Sequence, residues 1–339
     1  MMSIENIFIL SLALFNLILI FFFDKIKLFH INLDKPDGKR KLHKKPIPLA
    51  GGIIIFFNLI LYTLFITINP NFLIDEIFFV DYENFVLFFI TSLSIFFLGF
   101  IDDKLNISAS KKFIIASIII IFILYFDNTL NIKTIKFSFM VKEFDLSNYS
   151  ILLTCFCFLV FLNAFNMFDG INLQSSSYSV IILLGIMNLY NESLVTKIIL
   201  ISILTYSYLN MRNKTFLGDS GSLMIAFIIG YFFIKLYNFE LINHTDEVVI
   251  YMLLPGIDLI RLFFKRILLK RNPLTSDRFH LHHLLLSKFS FIKTLIILIA
   301  LTLYPIILSY LEISKLIIIL IFIIIYSTLL IFLSSKKLR

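Results

Sequence analysis

Residues 163–172 read Asn-Ala-Phe-Asn-Met-Phe-Asp-Gly-Ile-Asn, and they follow an apolar run over residues 150–162. Polar side chains recur at every third position of this stretch: Asn163, Asn166, Asp169 and Asn172. Positions three apart share one face of an α-helix, so the spacing predicts a row of three carboxamides and one carboxylate where a hydrophobic segment ends. A polar helix cap is the alternative interpretation, but a cap needs one such residue and this stretch has four.

The apolar run before this stretch is one of many along the chain. Hydrophobic residues make up 59% of the 339 residues, and the mean hydropathy is +0.96. Runs close to the length that crosses about 30 Å of hydrocarbon recur throughout. The sequence therefore predicts an all-α integral membrane protein, a single polytopic domain over residues 1–339. We expect about eleven spans: 4–23, 51–68, 85–101, 113–127, 150–165, 173–190, 194–210, 220–237, 247–265, 291–310 and 316–334.

The net charge of +8 is concentrated in particular loops rather than spread over a basic face, which argues against a nucleic-acid partner. Lys and Arg cluster in alternate connecting segments, as the positive-inside rule predicts for cytoplasmic loops. The N-terminus is then outside and the C-terminus cytoplasmic. The outer segment 128–149 departs from the trend with three lysines, and its alternating apolar residues predict a short periplasmic β-hairpin.

The polar clusters fall in cytoplasmic segments or at cytoplasmic helix ends, and none is expected at the middle of the bilayer. We interpret five segments as carriers of chemistry: 24–50, 102–112, 163–172, 211–222 and 266–290. The first ends in His43-x-x-Pro-x-Pro-x-x-Gly-Gly, in which prolines fix the loop and glycines allow close approach to a ligand or a neighbouring helix. A basic cluster that binds anionic lipid explains its charges but not this ending.

Adjacent carboxylates, Asp102 and Asp103, end the third predicted span. Such a pair can hold Mg²⁺, orient a cation or act as a base, and a solvated helix end is the alternative. Lys111 and Lys112 follow and can bind phosphate as point charges. Asp219 opens the eighth span within Gly-Asp-Ser-Gly-Ser, where free helix N–H groups favour an anion and the carboxylate suits Mg²⁺. A cap and turn is again the simpler reading of that segment.

The last segment reads Asp-Arg-Phe-His-Leu-His-His over residues 277–283. Its histidines, His280, His282 and His283, have no cysteine nearby, so with Arg278 an anion clamp is favoured over a Zn²⁺ site. Asp258 and Arg261 lie three apart in the ninth span and are expected to pair. Together the five segments offer oxygen ligands, phosphate-binding cations and carboxamides, which are the groups that phosphoryl transfer needs. A cytoplasmic site on a membrane protein implies one soluble and one lipid substrate.

These five segments, in this order and at these separations, resemble the polyprenyl-phosphate N-acetylhexosamine-1-phosphate transferases of glycosyltransferase family 4 over nearly the whole chain. The resemblance implies transfer of N-acetylhexosamine 1-phosphate from a UDP-N-acetylhexosamine to undecaprenyl phosphate with release of UMP. It also implies Mg²⁺ as cofactor, with Mn²⁺ as the alternative, and a multi-pass protein of the bacterial cytoplasmic (inner) membrane. Members of the family often form dimers, which leaves a homodimer open.

The resemblance implies roles for individual residues. Asp219 would bind the metal with Asn166, and Asp102 or Asp103 would activate or orient the lipid phosphate. Asn163, Asp169 and Asn172 would line the uridine-diphosphate site, with Asp169 also a catalytic candidate. Contacts to the phosphates or the sugar would come from the remaining set: Lys112, Arg278, His280, His282, His283 and His43.

The resemblance also divides the family. The peptidoglycan branch, which takes UDP-N-acetylmuramoyl-pentapeptide, usually shows three consecutive histidines and an aspartate where this chain has Asn172. The loop over residues 277–283 instead resembles the branch that starts O-antigen, enterobacterial common antigen or teichoic-acid linkage lipids. N-acetylglucosamine is therefore the expected sugar, and a 6-deoxy sugar such as N-acetylfucosamine stays open. The muramoyl-pentapeptide reaction is the alternative. A secondary transporter is the alternative from a different class, but it would need mid-span charges and a repeat.

Overall fold

The computed structural model describes residues 3–36, 45–72, 77–191, 193–270 and 279–334. Within these residues the chain forms twelve α-helices and two very small sheets. The helices are α1 Ile4–Phe22, α2 Gly51–Ile68, α3 Tyr82–Leu105, α4 Ala109–Phe126, α5 Ser150–Phe168, α6 Gln174–Leu189, α7 Leu194–Met211, α8 Gly218–Asn238, α9 Thr245–Leu268, α10 Leu281–Leu286, α11 Phe291–Ser309 and α12 Lys315–Ser334.

A helix covers each predicted span, and among the described residues nine are long and apolar enough to cross a membrane. The fold class, an all-α polytopic membrane protein, is confirmed. The two exceptions are α6 and α9. Helix α6 has 16 residues, about 24 Å at 1.5 Å per residue, and α9 carries six Asp, Glu, Lys or Arg side chains. That α6 and α9 also cross the membrane, which would give eleven spans, stays a prediction.

Two helix ends differ from the predicted boundaries in a way that affects the site. Helix α3 continues to Leu105, so Asp102 and Asp103 lie in its last turns and not in the loop predicted over residues 102–112. Helix α4 begins at Ala109 and already includes Lys112. Helical geometry therefore holds these three charged side chains. A short helix, α10, also lies within the segment predicted as a loop over residues 266–290.

Helix α8 is the centre of the bundle. It is buried from Ser220 to Tyr237 and contacts α2, α3, α5, α6 and α9. Aromatic side chains fill much of this interior, with the Phe88 and Tyr231 rings 4.8 Å apart and the Phe158 and Phe227 rings 5.6 Å apart. Since α8 begins at Gly218, its buried position sets where the Asp219 segment lies relative to the other helices.

Glycines bring α2 and α3 against the start of α8. A Cβ atom on Gly52 would lie 2.5 Å from the backbone nitrogen of Gly221. A Cβ atom on Gly99 would collide with the backbone of Asp219. Small residues commonly allow such close approach of membrane helices. The paired glycines of the first segment thus meet a neighbouring helix, one of the two partners expected for them.

We expect Gly99→Ala to destabilise the protein by about 1–3 kcal/mol, because α3 must move away from rigid backbone of α8. The measurement is thermal unfolding in detergent. Gly256→Ala is the matched control, since a Cβ atom there meets nothing within 4 Å and alanine favours a helix interior. Equal melting temperatures for the two variants would contradict the close packing of α3 on α8.

The two sheets lie at opposite ends of the bundle. Strand β1, Leu33–Asp34, pairs antiparallel with β2, Ile47–Pro48, and this pairing was not predicted. The backbone after β2 bonds to the α7–α8 connection, for example Phe216 N–H to the Pro48 carbonyl at 2.9 Å. Strands β3, Thr134–Ile135, and β4, Phe144–Asp145, form the predicted hairpin with two residues in each strand.

Candidate active site

A cavity of about 830 Å³ opens at the end of the bundle where α3, α5 and α7 end and α8 begins. This volume is in the range of small-molecule sites in proteins. Four of the five predicted segments contribute predicted site residues to its wall, although they are far apart in the chain. Those residues are Asp102, Asp103, Asn166, Asp169, Asn172, Asp219, His280, His282 and His283.

Lys112 joins two of the cavity carboxylates. Its ammonium group lies 2.6 Å from Asp102 Oδ2 and 2.7 Å from Asp219 Oδ2. The second Asp102 oxygen accepts the backbone N–H of Ile107 at 2.7 Å, which fixes the carboxylate at the α3–α4 turn. The cation offsets the repulsion that two close carboxylates would otherwise feel. Asp102, Lys112 and Asp219 thus form one charge cluster at the cavity wall.

Asp103 has a different environment from its neighbour. Its Oδ1 accepts the backbone N–H of Asp219 at 2.7 Å, and its Oδ2 accepts the N–H of Ser220 at 3.1 Å. These are free N–H groups of the first turn of α8, so Asp103 caps that helix from α3. The capping geometry holds Asp219 in position. The two adjacent aspartates therefore have different partners: Asp102 faces Lys112, whereas Asp103 caps α8. The sequence alone could not distinguish them.

The row over residues 163–172 is only partly helical. Helix α5 ends at Phe168 and Asp169 is its C-cap, so the expected single helical face holds for Asn163 and Asn166 alone. Asn163 donates to the Leu159 carbonyl of its own helix at 2.8 Å and is not among the described residues that line the cavity. Asn166 donates to Ser222 Oγ at 2.9 Å, which leaves its carbonyl oxygen as an acceptor.

The end of the row folds against α6 and α7. Asp169 accepts the Ser175 hydroxyl at 2.5 Å. Burial raises the pKa of Asp169 to about 6, although the hydrogen bond from Ser175 acts to lower it. Asn172 donates to the Asn210 carbonyl at 3.1 Å and to Asn213 Oδ1 at 2.6 Å. These contacts keep Asp169 and Asn172 at the cavity after the helix has ended.

The histidine segment closes the other side of the cavity. His280 bonds through Nδ1 to Asp258 Oδ2 at 2.8 Å, and Asp258 also pairs with Arg261 at 2.7 Å, as their spacing predicted. The His282 ring stacks at 5.6 Å from that of His280 and lies 4.3 Å from that of His283. His282 also lies directly over Gly170, where a Cβ atom would occupy the ring.

The environment of His282 favours the neutral imidazole. It is 2% exposed, and its Nε2 has no hydrogen-bond partner among the described residues. Burial, and then electrostatic interactions with the neighbouring His283 and His280 rings, lower the pKa of His282 to about 3. A buried cation without a partner costs more than the neutral ring, so the shift is downward.

We therefore expect the His282 ring to stay uncharged from pH 8 down to about pH 4. The measurement is a titration of the imidazole ¹⁵N shifts in histidine-labelled protein, with the signal assigned through His282→Gln. A protonation step with a midpoint above pH 5 at this residue would contradict the buried, neutral environment.

Two predicted site residues, His43 and Arg278, lie outside the described residues. The cavity residues that were missed include Tyr206 and Asn210. Asn210 is buried in the last turns of α7 and bonds to the Leu173 N–H at 2.7 Å and the Thr215 carbonyl at 2.8 Å. A carboxamide at the end of an apolar span was the available signal for Asn210. Tyr206 lies inside the seventh predicted span and gave no signal.

The donor set of the cavity suits a magnesium ion. Among the described residues no three His, Cys, Asp or Glu side chains are grouped closely enough to hold a metal by themselves. Mg²⁺ is usually held by one or two carboxylates, with substrate phosphates and water completing its shell. Asp102 and Asp219 already converge on one cation, the Lys112 ammonium. Their oxygens and the Asn166 carbonyl fit Mg²⁺ better than a nitrogen- or sulfur-preferring ion.

The fold and the site define a polytopic membrane protein with an acidic, carboxamide-rich cavity at one end of its bundle. Residues 85–237, which include α3 to α8, match the family model described as glycosyl transferase family 4. The resemblance drawn from the motifs is confirmed.

Relatives named undecaprenyl-phosphate alpha-N-acetylglucosaminyl 1-phosphate transferase extend the likeness over most of the chain. The Salmonella typhi protein is 25% identical over 290 residues, 82% of this chain and 75% of that protein. The Yersinia pestis protein is 27% identical over 299 residues, 84% of this chain and 77% of that protein. The Thermotoga maritima protein is 26% identical over 272 residues, 80% of this chain and 78% of that protein.

Proposed function

We propose that this protein transfers N-acetylglucosamine 1-phosphate from UDP-N-acetylglucosamine to undecaprenyl phosphate. An oxygen of the lipid phosphate attacks the sugar-linked phosphorus of the donor. A new P–O–P bond forms, the original P–O–P bond breaks, and UMP leaves with the bonding electron pair. The products are undecaprenyl-diphosphate-N-acetylglucosamine and UMP.

The observation that carries this proposal is the meeting of Asp102, Lys112 and Asp219 at one cavity with the carboxamides and histidines of distant segments. Phosphoryl transfer depends mainly on positioning and on neutralising phosphate charge, which is what these groups supply. The names of the relatives support transfer of the same sugar 1-phosphate to the same acceptor.

On the acceptor side, the lipid phosphate is already a nucleophile, so we favour direct attack over a covalent aspartyl intermediate. Asp102 is the better candidate to orient it, because one of its oxygens faces the Lys112 ammonium, a cation that can also bind phosphate. Both oxygens of Asp103 instead accept backbone N–H groups of α8. Lys112 contributes a positive charge for the phosphates. On the donor side, Asp169, Asn172 and His282 line the part of the cavity that we assign to the uridine diphosphate and sugar.

Asp219 and Asn166, with Asp102 beside them, would hold Mg²⁺. When bound, the ion would neutralise charge that develops on the phosphate oxygens during transfer. Asp103 would keep Asp219 aimed at the ion through the cap on α8. His43 and Arg278 remain proposed substrate contacts.

We also propose the setting of the reaction. The distribution of Lys and Arg supports a bacterial inner-membrane protein whose cavity opens to the cytoplasm, where UDP-sugars are available. The product would be the first lipid-linked sugar of a cell-surface polysaccharide such as O-antigen, common antigen or teichoic acid.

The test uses purified full-length protein in detergent with undecaprenyl phosphate, MgCl₂ and UDP-N-acetylglucosamine labelled in the sugar. We expect label in the organic phase and an equal amount of UMP, both abolished by EDTA. Activity only with UDP-N-acetylmuramoyl-pentapeptide would assign the peptidoglycan reaction instead. Uptake of the nucleotide sugar into vesicles without UMP release would favour a transporter and overturn the proposal.

A further inference from the structure

A buried carboxylate behind the cavity, Asp258 of α9, receives hydrogen bonds from four directions. It is 5% exposed and is not among the described residues that line the cavity. Its donors come from α9, from the start of α10 and from α12. They are Arg261 Nη2 at 2.7 Å, Tyr326 OH at 2.6 Å, His280 Nδ1 at 2.8 Å and the Leu281 backbone N–H at 3.3 Å.

The contact to His280 sets which ring nitrogen carries the proton. A carboxylate can only accept, so Nδ1 of His280 must be the N–H that faces Asp258. In the neutral ring, Nε2 is then an acceptor. His280 lines the cavity, whereas Asp258 lies behind it. The carboxylate thus determines the hydrogen-bonding character that the ring offers to a ligand.

The surrounding contacts make this arrangement rigid. Arg261 donates to the Phe279 carbonyl at 2.6 Å and, through Nε, to the Tyr326 hydroxyl at 2.9 Å. The Tyr326 hydroxyl in turn donates to Asp258. Arg261 also balances the charge of Asp258, so the carboxylate can stay ionised in a buried place. The start of α10 is therefore tied to both α9 and α12.

We propose that Asp258 is a positioning residue that fixes the Nδ1-protonated form of His280 and so presents Nε2 as an acceptor for a hydroxyl or amide N–H of the donor sugar. The sugar as ligand rests on the function proposed above, whereas the tautomer does not. For metal-ligating histidines, removal of the group that orients the ring typically costs about 10- to 100-fold in metal affinity or activity, and we expect the same scale for His280.

The first readout needs no substrate. In ¹⁵N-histidine-labelled protein, assigned through His280→Gln, we expect the proton of neutral His280 on Nδ1. Asp258→Asn is expected to move it to Nε2, because the new amide can donate to Nδ1. A proton on Nε2 in the unaltered protein would overturn the proposal, and so would an unchanged pattern in folded Asp258→Asn. The reading on the unaltered protein stands even if the variant does not fold.

The second readout is the dissociation constant of UDP-N-acetylglucosamine, measured by calorimetry. We expect Asp258→Asn to weaken binding by about 10- to 100-fold. Asp246→Asn is the matched control, since Asp246 is also buried on α9 but bonds to Ser138 away from the cavity. It should change neither the His280 signals nor the donor affinity. Equal weakening in both variants would reduce Asp258 to a structural role.

The two readouts separate this inference from the proposed function. Loss of the His280 pattern in Asp258→Asn, together with no transfer activity in the unaltered protein, would refute the reaction but keep the positioning role. Transfer activity in the unaltered protein, together with an unchanged His280 pattern in Asp258→Asn, would support the reaction but refute the positioning role of Asp258.

Discussion

Asp219→Asn is expected to lower turnover by about 10²- to 10³-fold or more, the scale seen when one transition-state-stabilising group is removed. The substitution keeps the size of the side chain but removes the charge that faces Lys112 at 2.7 Å. It also replaces a proposed carboxylate ligand of Mg²⁺ by a weaker, neutral amide oxygen. The fold should survive, because the cap from Asp103 reaches the backbone N–H of residue 219 and not its side chain. UMP release and the melting temperature, measured on the same preparation, check both parts.

Asp24→Asn is the control for the Asp219 variant. Asp24 also pairs with a lysine, Lys214 at 2.5 Å, but it is largely exposed and does not line the cavity. Exposed ion pairs contribute little to stability, so this variant should behave like the unaltered protein. If turnover of Asp219→Asn were close to that of the control, the assignment of Asp219 as a Mg²⁺ ligand of the active site would be wrong.

Asp102→Asn and Asp103→Asn should both lower turnover by about 10²-fold or more, but only the second should also lower the melting temperature. In Asp103→Asn, one of the two N–H groups at the start of α8 loses its acceptor, at a cost of about 1–3 kcal/mol. In Asp102→Asn the loss is mainly of charge, and the side chain can still accept the Ile107 N–H. Thermal unfolding beside UMP release distinguishes the two variants.

Two outcomes would contradict this division of roles. Near-normal turnover in both variants would move the orienting group to another residue. Equal melting temperatures would remove the structural role of Asp103 as the cap on α8. The double variant Asp102→Asn with Asp103→Asn is expected to melt at the same temperature as Asp103→Asn alone, because only the cap from Asp103 is expected to contribute to stability.

The membrane fold was predictable because long apolar runs report on spans directly. Helix ends were less predictable. The sequence gives no break after residue 101, and α3 continues past Asp103 because Asp102 and Asp103 gain partners in α4 and α8. The four polar residues of segment 163–172 were predicted to share one helical face, but α5 ends before Asp169 and Asn172. The reason is again a contact to another part of the chain. Asp169 satisfies its carboxylate with Ser175, and the chain turns there toward α6.

Contacts between segments that are distant in the chain could not be predicted from the spacing of residues. The pair Asp258–Arg261 was predictable because its members are three apart, but the bonds to His280 and Tyr326 span 22 and 68 residues. A polar pair within the spans was also missed. Asn16 and Asn58 are buried and bond at 2.6 Å between α1 and α2, against the expectation that polar clusters occur only at cytoplasmic ends.

The fate of the sugar-linked phosphate tests the central claim most directly. UDP-N-acetylglucosamine labelled with ³²P in the phosphate next to the sugar is incubated with the full-length protein, undecaprenyl phosphate and Mg²⁺. Transfer of the sugar 1-phosphate predicts ³²P in the lipid fraction and unlabelled UMP in equal amount. Label that stays in water as UDP, while the sugar alone moves to the lipid, would contradict the account.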